Sequence, residues 1–395
     1  MIATAVVNPA AQSVGDTFGH GTHVAGLIAG NGSNRPAGDP LRGRYAGVAP
    51  EANLIAVKAD DGHGSASVLD VIDGLQFVVD HKADYNIRVV NLSLKSSVAE
   101  SYLTDPLDAA VEAAWNSGIV VVVAAGNSGN DADAVSYAPA NDPYVITVGG
   151  VDDQSTKKID DDMLASWSSR GTTQDGVSKP DILAPGAKLV STMAPNAQYK
   201  QLCPTCIVDN DYFRVGGTSM AAAVASGEAA LMLEADPTLT PNEVKTQMVR
   251  RTRPVTKSET SGVLVDAQAQ PVPPADDDRG ATTVNAEAAA DKAVDKDPGR
   301  KDMNFGLTPN LLLDPVTGLI DYTRTSWSRT TWSDAPPELQ ATWSRTSWSR
   351  TSWSSEDIAF AQAECANLLS QVDPTRTSWS RTSWSRTSWS TSFTK

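Results

Sequence analysis

The 395-residue sequence predicts an α/β domain with a mainly parallel central sheet, followed by a low-complexity tail built on a tryptophan repeat. Three observations predict it. Short β-rich apolar runs alternate with helical patterns through the first 255 residues, the signature of a parallel sheet with helices on both faces. One of those runs, Ile119 to Ala125, holds five β-branched residues and two alanines, the composition of a strand buried on both sides. From Ile320 onward, eight of the ten tryptophans recur in Arg-Thr-Ser-Trp-Ser and its variants.

In order, residues 1 to 15 show no clear element. His20 to Gly30 carries small and apolar residues suited to a buried helix, with close backbone approach at Gly26 and Gly30. Leu54 to Lys58 reads as a short strand, Gly62-His63-Gly64 as a turn and Ser65 to His81 as a helix. Ile87 to Leu94 is a strand. Asp105-Pro106 opens a helix with a cap and a proline at the first position, and Ser117-Gly118 stops it. After the Ile119 strand, further short strands are expected at Tyr144 to Val148 and Lys188 to Ser191. Ser219 to Leu233 is proline-free and alanine-rich, a tightly buried helix; Thr240 to Glu243 is a capping box opening another. Residues 256–319 read as a linker with one short helix near Asn285 to Val294.

The tail, 320–395, repeats with a spacing of five around Trp327, Trp348, Trp353, Trp379, Trp384 and Trp389. A step of five alternates faces in a strand and turns about 140° in a helix, so neither makes a one-sided core. A disordered or weakly extended tail with exposed aromatic stickers is the expectation, serving as an inert spacer or attaching the chain to a surface, polymer or another protein.

The net charge of −15 sits almost entirely before Ile320, because the tail has eight basic and seven acidic residues. No basic stripe exists to bind nucleic acid. No apolar run approaches the roughly 20 residues of a membrane span. The first residues are not a signal peptide. Cys203 and Cys206 form a lone CxxC without a second ligand pair, which reads as a surface loop or a local disulfide. His20 and His23 share one side of a helix, but no third metal ligand follows at a suitable spacing.

Three segments carry chemistry: Gly19-His20-Gly21-Thr22-His23, Ala125-Gly126-Asn127 and Gly217-Thr218-Ser219-Met220. Alone, Ser219 is as well explained as a cap on a core helix. In this order and spacing, the three segments resemble the subtilisin-like serine peptidases, over about residues 16 to 255. Val89 to Leu94 and Ser168 to Gly186 extend the resemblance.

The resemblance implies a subtilisin-like three-layer fold and a serine endopeptidase acting on polypeptide. It implies Ser219 as nucleophile, His20 as general base, Asn127 as side-chain oxyanion donor and the Ser219 N–H as second donor. His23 is then a packed core histidine. It implies that Ser93, Leu94, Lys95, Ala125 and Gly126 wall the specificity pocket, and that Gly62, His63 and Gly64 pair with an extended substrate. No cofactor is required for the chemistry. A structural calcium is implied without assignable ligands, and an extracellular setting is expected.

Departures are equally specific. Ala223-Val224 stands where proline and histidine are usual, and Lys95 where glycine is common. Lys95 either narrows the pocket and favours acidic side chains or is a solvated lysine. No Asp-Ser/Thr-Gly strand precedes His20; the nineteen residues before it contain one acid, Asp16, which matches the loop acid and not the triad member. An incomplete N-terminus is the simplest account. Loss of a triad aspartate costs roughly 3 × 10⁴ in turnover, so a nearly inactive chain is expected, and a non-catalytic binding protein with a repeat tail is the alternative.

Overall fold

The computed structural model describes residues 1–11, 13–156, 161–255, 257–258, 282–284, 302–321 and 351–352. In chain order the elements used below are β1 (Ala3–Val6), α1 (His20–Ala29), β2 (Ile55–Lys58), β3 (Ser65–Ala66), α2 (Val68–Asp80) and β4 (Val89–Leu92). Then come α3 (Pro106–Asn116), β5 (Val120–Ala124), β6 (Ile146–Asp152), β7 (Ile182–Pro185), β8 (Leu189–Thr192) and β9 (Tyr212–Val215). The last are α4 (Thr218–Ala235), α5 (Pro241–Arg250), β10 (Thr252–Pro254), β11 (Thr282–Val284) and β12 (Thr351–Ser352).

The main sheet runs β10-β11-β7-β6-β5-β4. Strands β4, β5, β6, β7 and β11 are parallel, and β10 joins antiparallel at the edge. Every residue of β5 is buried, its four valines almost completely. Each such side chain contributes roughly 1.5–3 kcal/mol, and a strand so enclosed needs cover on both faces. Helices α1, α4 and α5 form one layer, and α2 with α3 forms another. This is the three-layer α/β architecture expected from the sequence.

Local signals account for most of the helix ends. Asp105 caps α3 by accepting from the N–H groups of Leu107 and Asp108 at 2.7 and 3.3 Å, with Pro106 first in the helix. Thr240 and Glu243 close a capping box on α5. Ser67 and Asp70 form another, so α2 starts at Val68 and not at Ser65. The two residues in between make β3. The first fifteen residues also differ from expectation, since Ala3–Val6 pairs in parallel with β2, Ala3 opposite Ile55 and Val6 opposite Lys58.

The β1–β2 pair is a separate sheet. Ile55 and Val57 of β2 and Val90 of β4 pack on one cluster, Val78, Ile87 and Ile119. Yet among the described residues no ladder joins β2 to β4, and each keeps one edge without a strand partner.

Residues 302–321 lie on α3. Asn310 donates its N–H to both Glu112 carboxyl oxygens, at 3.1 and 3.0 Å, and Leu313 packs with Ala109 and Ala113. The helix expected near Asn285 to Val294 and nearly all of the tail lie outside the described residues.

Beneath that contact Asp105, Asp108, Glu112 and Asp142 are all buried. Burial and then mutual repulsion raise their carboxyls, Asp105 to about 7, Glu112 to about 10 and Asp108 well above its usual value. Burial alone leads the rise of Asp142 to about 6. Folded carboxyls that hold protons more tightly than unfolded ones stabilise the fold at low pH. That stability is lost from about pH 4 upward through each raised value. Asp108→Asn should therefore raise Tm at pH 9 relative to the parent, with the gain shrinking toward pH 4. Thermal melts across that range check it, and a pH-independent difference would contradict it.

Candidate active site

The site is assembled where β9 passes into α4. Gly217 has φ 144° and ψ 162°, a backbone region that side-chain-bearing residues rarely adopt. The turn places Thr218 first and Ser219 second in α4, with Ser219 7 % exposed. Met220 and Ala221 donate their N–H groups back to the Gly217 carbonyl at 3.1 and 3.3 Å. At this position the Ser219 N–H has no intrahelical acceptor, and the positive end of the helix dipole lies here.

Asn127 reaches this turn from the C-terminal end of β5. Its Oδ1 accepts from the Thr218 N–H at 2.9 Å and from Thr218 Oγ1 at 3.2 Å. A backbone N–H can only donate, so the atom facing it is the oxygen, which fixes the amide's orientation. The Nδ2 group lies beside Gly217: a Cβ there would stand 3.4 Å from it. Thr218 Oγ1 also accepts from Gly126 N–H at 3.0 Å, so Thr218 ties the β5 end to the helix start. Thr218 is one functional residue that the sequence reading missed.

Asn91 and Ser226 are others. Ser93 Oγ donates to the Ser219 carbonyl at 2.9 Å, Asn91 Nδ2 donates to Ser93 Oγ at 2.9 Å, and Ser226 Oγ donates to Asn91 Oδ1 at 3.0 Å. The chain β4–α4 is thus held by polar side chains whose sequence separation is 126 and 135 residues. No local pattern signals such a contact. Lys95 Nζ donates to Ser128 Oγ at 3.3 Å and lies 4.7 Å from the Tyr137 ring centroid. The Lys95 side chain thus joins the segment after β4 to the segment after β5.

His20 is the first residue of α1 and is buried, in edge contact with Tyr199 at 6.4 Å between ring centroids. Asp16 caps this helix: its two oxygens accept from Gly19 N–H at 2.6 Å and Thr22 N–H at 2.7 Å. The carboxylate is committed to the backbone of the first turn, so Asp16 is a capping residue. Burial, followed by the nearby His23, lowers the His20 imidazole well below 6.5. His23 is fully enclosed, its Nε2 2.9 Å from the Phe213 carbonyl, and burial lowers it to about 4.

Helix α1 is tied to the strand next to β9. Ser191 Oγ donates to the His23 carbonyl at 2.8 Å and Thr192 Oγ1 to the Thr22 carbonyl at 2.9 Å. Strand β8, which carries both, pairs antiparallel with β9. Helices α1 and α4 pack together, with Gly227 against the Ile28 carbonyl.

Gly62, His63 and Gly64 line a rim beside the entrance to α1. Thr17 Oγ1 donates to the Gly62 carbonyl at 2.6 Å, and His63 Nδ1 is 2.9 Å from Gln198 Nε2. Cys203 and Cys206 are disulfide-bonded and buried, not on the surface. Among the described residues no group of three His, Cys, Asp or Glu side chains is placed to hold a metal ion.

A model of the subtilase family matches residues 6–297. The chain is 44% identical over 235 residues to serine protease AprX of Bacillus subtilis strain 168, covering 58% of this chain and 52% of that one. It is 36% identical to a thermophilic serine proteinase of Bacillus sp. strain AK1, covering 55% and 43%. It is 34% identical to subtilisin DY of Bacillus licheniformis, covering 59% and 70%. The chain thus spans about half the length of the first two relatives.

Gly26 tests how His20 is held. A Cβ there would fall 2.2 Å from Thr192 Oγ1 and 2.3 Å from Ser191 Oγ. Gly26→Ala should destabilise the fold by about 1–3 kcal/mol and displace α1. Denaturant titration checks this, and unchanged stability would contradict the packing described.

Proposed function

We propose that this chain, which belongs to the subtilase family, is a serine endopeptidase that cleaves polypeptide through an acyl-enzyme on Ser219. The observation that carries the reading is the Asn127–Thr218 hydrogen bond at 2.9 Å. It fixes the Asn127 amide at the start of the helix that carries Ser219, which supports reading Asn127 Nδ2 and the Ser219 N–H as the pair of donors that an oxyanion needs.

The steps follow from these groups. Ser219 Oγ attacks the scissile carbonyl carbon while the His20 imidazole takes its proton. The carbonyl oxygen becomes an oxyanion, stabilised by Asn127 Nδ2 and the Ser219 N–H. His20 returns the proton to the leaving amine, and the C–N bond breaks. Water then attacks the acyl-enzyme with His20 again as base, which frees Ser219. His20 is neutral at neutral pH because burial lowers its pKa, so it starts as a base. No step needs a cofactor. Ser93 to Lys95 and Ala125 to Gly126 supply the pocket walls, and Gly62 to Gly64 the opposite rim for an extended substrate.

An aspartate that orients the imidazole would complete the set. The partnerless edges of β2 and β4 suit one further parallel strand, and its C-terminal end would be the place for that carboxylate. An extracellular setting fits the Cys203–Cys206 bridge, since disulfides persist in oxidising compartments. No helix among the described residues is long and apolar enough to cross a membrane.

A fluorophosphonate probe should label Ser219, and Ser219→Ala should abolish the label. Absence of label at Ser219 in the parent chain supplied with the aspartate-bearing strand would overturn the proposal. The acid limb of the labelling rate should lie below pH 6.5, because the lowered His20 stays a base until that pH is passed. A limb above 6.5 would contradict the burial effect. Asn127→Ala should cut turnover of a peptide substrate roughly 10²–10³-fold with labelling at saturation retained, measured by initial rates.

A further inference from the structure

The repeat Arg-Thr-Ser-Trp-Ser is the one sequence motif that the proposed function does not use. Two of its residues have a defined place. Thr351 and Ser352 form β12 and pair antiparallel with β3, Thr351 opposite Ala66 and Ser352 opposite Ser65. Among the described residues this is the only ladder that β3 makes.

Strand β3 continues the Gly62-His63-Gly64 rim without a break. Gly64 lies against Phe18, two residues before His20, so close that a Cβ would stand 2.9 Å from the ring. Phe18 in turn packs on Tyr199, the ring in edge contact with His20. Whatever pairs with β3 therefore lies along the rim that leads to His20. An extended polypeptide added to such an edge gains affinity from main-chain hydrogen bonds, and β12 makes that kind of contact.

Charge points the same way. Asp60, Asp61 and Asp70 flank β3 in sequence, against one base, Lys58, which pairs with Asp60 at 2.8 Å. Asp61 accepts from the His63 and Ser65 N–H groups at 2.7 and 3.2 Å, holding its negative charge at the rim. Each Arg-Thr-Ser-Trp-Ser unit carries one arginine and no acid. The repeat and the acids beside β3 are thus of opposite sign in sequence, which favours encounter.

We propose that the Arg-Thr-Ser-Trp-Ser repeat is a tethered strand ligand of the substrate rim, pairing with β3 and competing there with extended polypeptide. The tail then limits access to Ser219 by occupying the rim and not by touching the serine. The proposal rests on the reading of Gly62 to Gly64 as a substrate rim. Its test uses binding, so that it is decided separately from catalysis.

The full chain is prepared as Ser219→Ala with Cys365→Ser and Ala66→Cys, with and without Thr351→Cys. Mild oxidation should form the 66–351 disulfide, mapped by mass spectrometry. Binding of fluorescein-labelled oxidised insulin B chain is then read by anisotropy. The locked double-cysteine protein should bind about tenfold more weakly than the oxidised protein with Ala66→Cys alone. The free decapeptide RTSWSRTSWS should displace the labelled chain from the unlocked protein. Equal affinity of locked and unlocked proteins, failure of the bridge to form, or no displacement by the decapeptide would each overturn the proposal. Absence of fluorophosphonate label at Ser219 in the parent chain supplied with the aspartate-bearing strand would instead overturn the peptidase reading, leaving the binding result to stand by itself.

Discussion

The site depends on how closely α4 can approach the sheet. From Thr218 to Ala229 this helix is buried on all sides, which only small side chains permit at such proximity. Gly227 meets Val48 and the Ile28 carbonyl, and Ser226 hydrogen-bonds to Asn91 on β4. The helix start is thereby fixed relative to β4, β5 and α1 at once. Ser219, Asn127 and His20 come from three separate stretches, yet each sits at the end of an element that touches α4 or its leading strand. A shift of α4 would move the serine away from the amide that faces it.

The polar contacts around the helix start have a division of labour. Thr218 holds Asn127 in one orientation through its N–H and hydroxyl. Ser93 holds the Ser219 carbonyl. Asp16 neutralises the exposed N–H groups of the first turn of α1. The burial that lowers the His20 imidazole raises the carboxyls beneath residues 302–321, Glu112 to about 10.

Much of this was legible in the sequence where the cause is local. The Asp105-Pro106 start and the Thr240–Glu243 box are set by neighbouring residues, and both appear as read. Strand β5 was legible because valine runs have few alternatives. Strand β1 was not, since Ala3-Thr4-Ala5-Val6 has little apolar alternation and is a strand only because β2 offers an edge. Ser65–Ala66 was read as helix because its partner is a distant segment of the same chain. The Asn91–Ser93–Ser226 network and the Asn310–Glu112 contact join residues more than a hundred positions apart, and polar side chains carry no periodic signal of such meetings. The family was legible through the order of the segments around His20, Asn127 and Ser219, whereas Thr218 as the amide's anchor follows only from the fold.

The break between β2 and β4 has a mechanical meaning. Backbone ladders are stiff, and side-chain contacts between apolar residues slide more readily. The rim of Gly62 to Ala66 follows directly from β2, on one side of the break. His20, Asn127 and Ser219 are braced by β8, β5, β9 and α4, on the other. The Val78, Ile87 and Ile119 cluster couples the two sides through packing. Among the described residues the two sides are therefore coupled by side-chain packing and not by a backbone ladder.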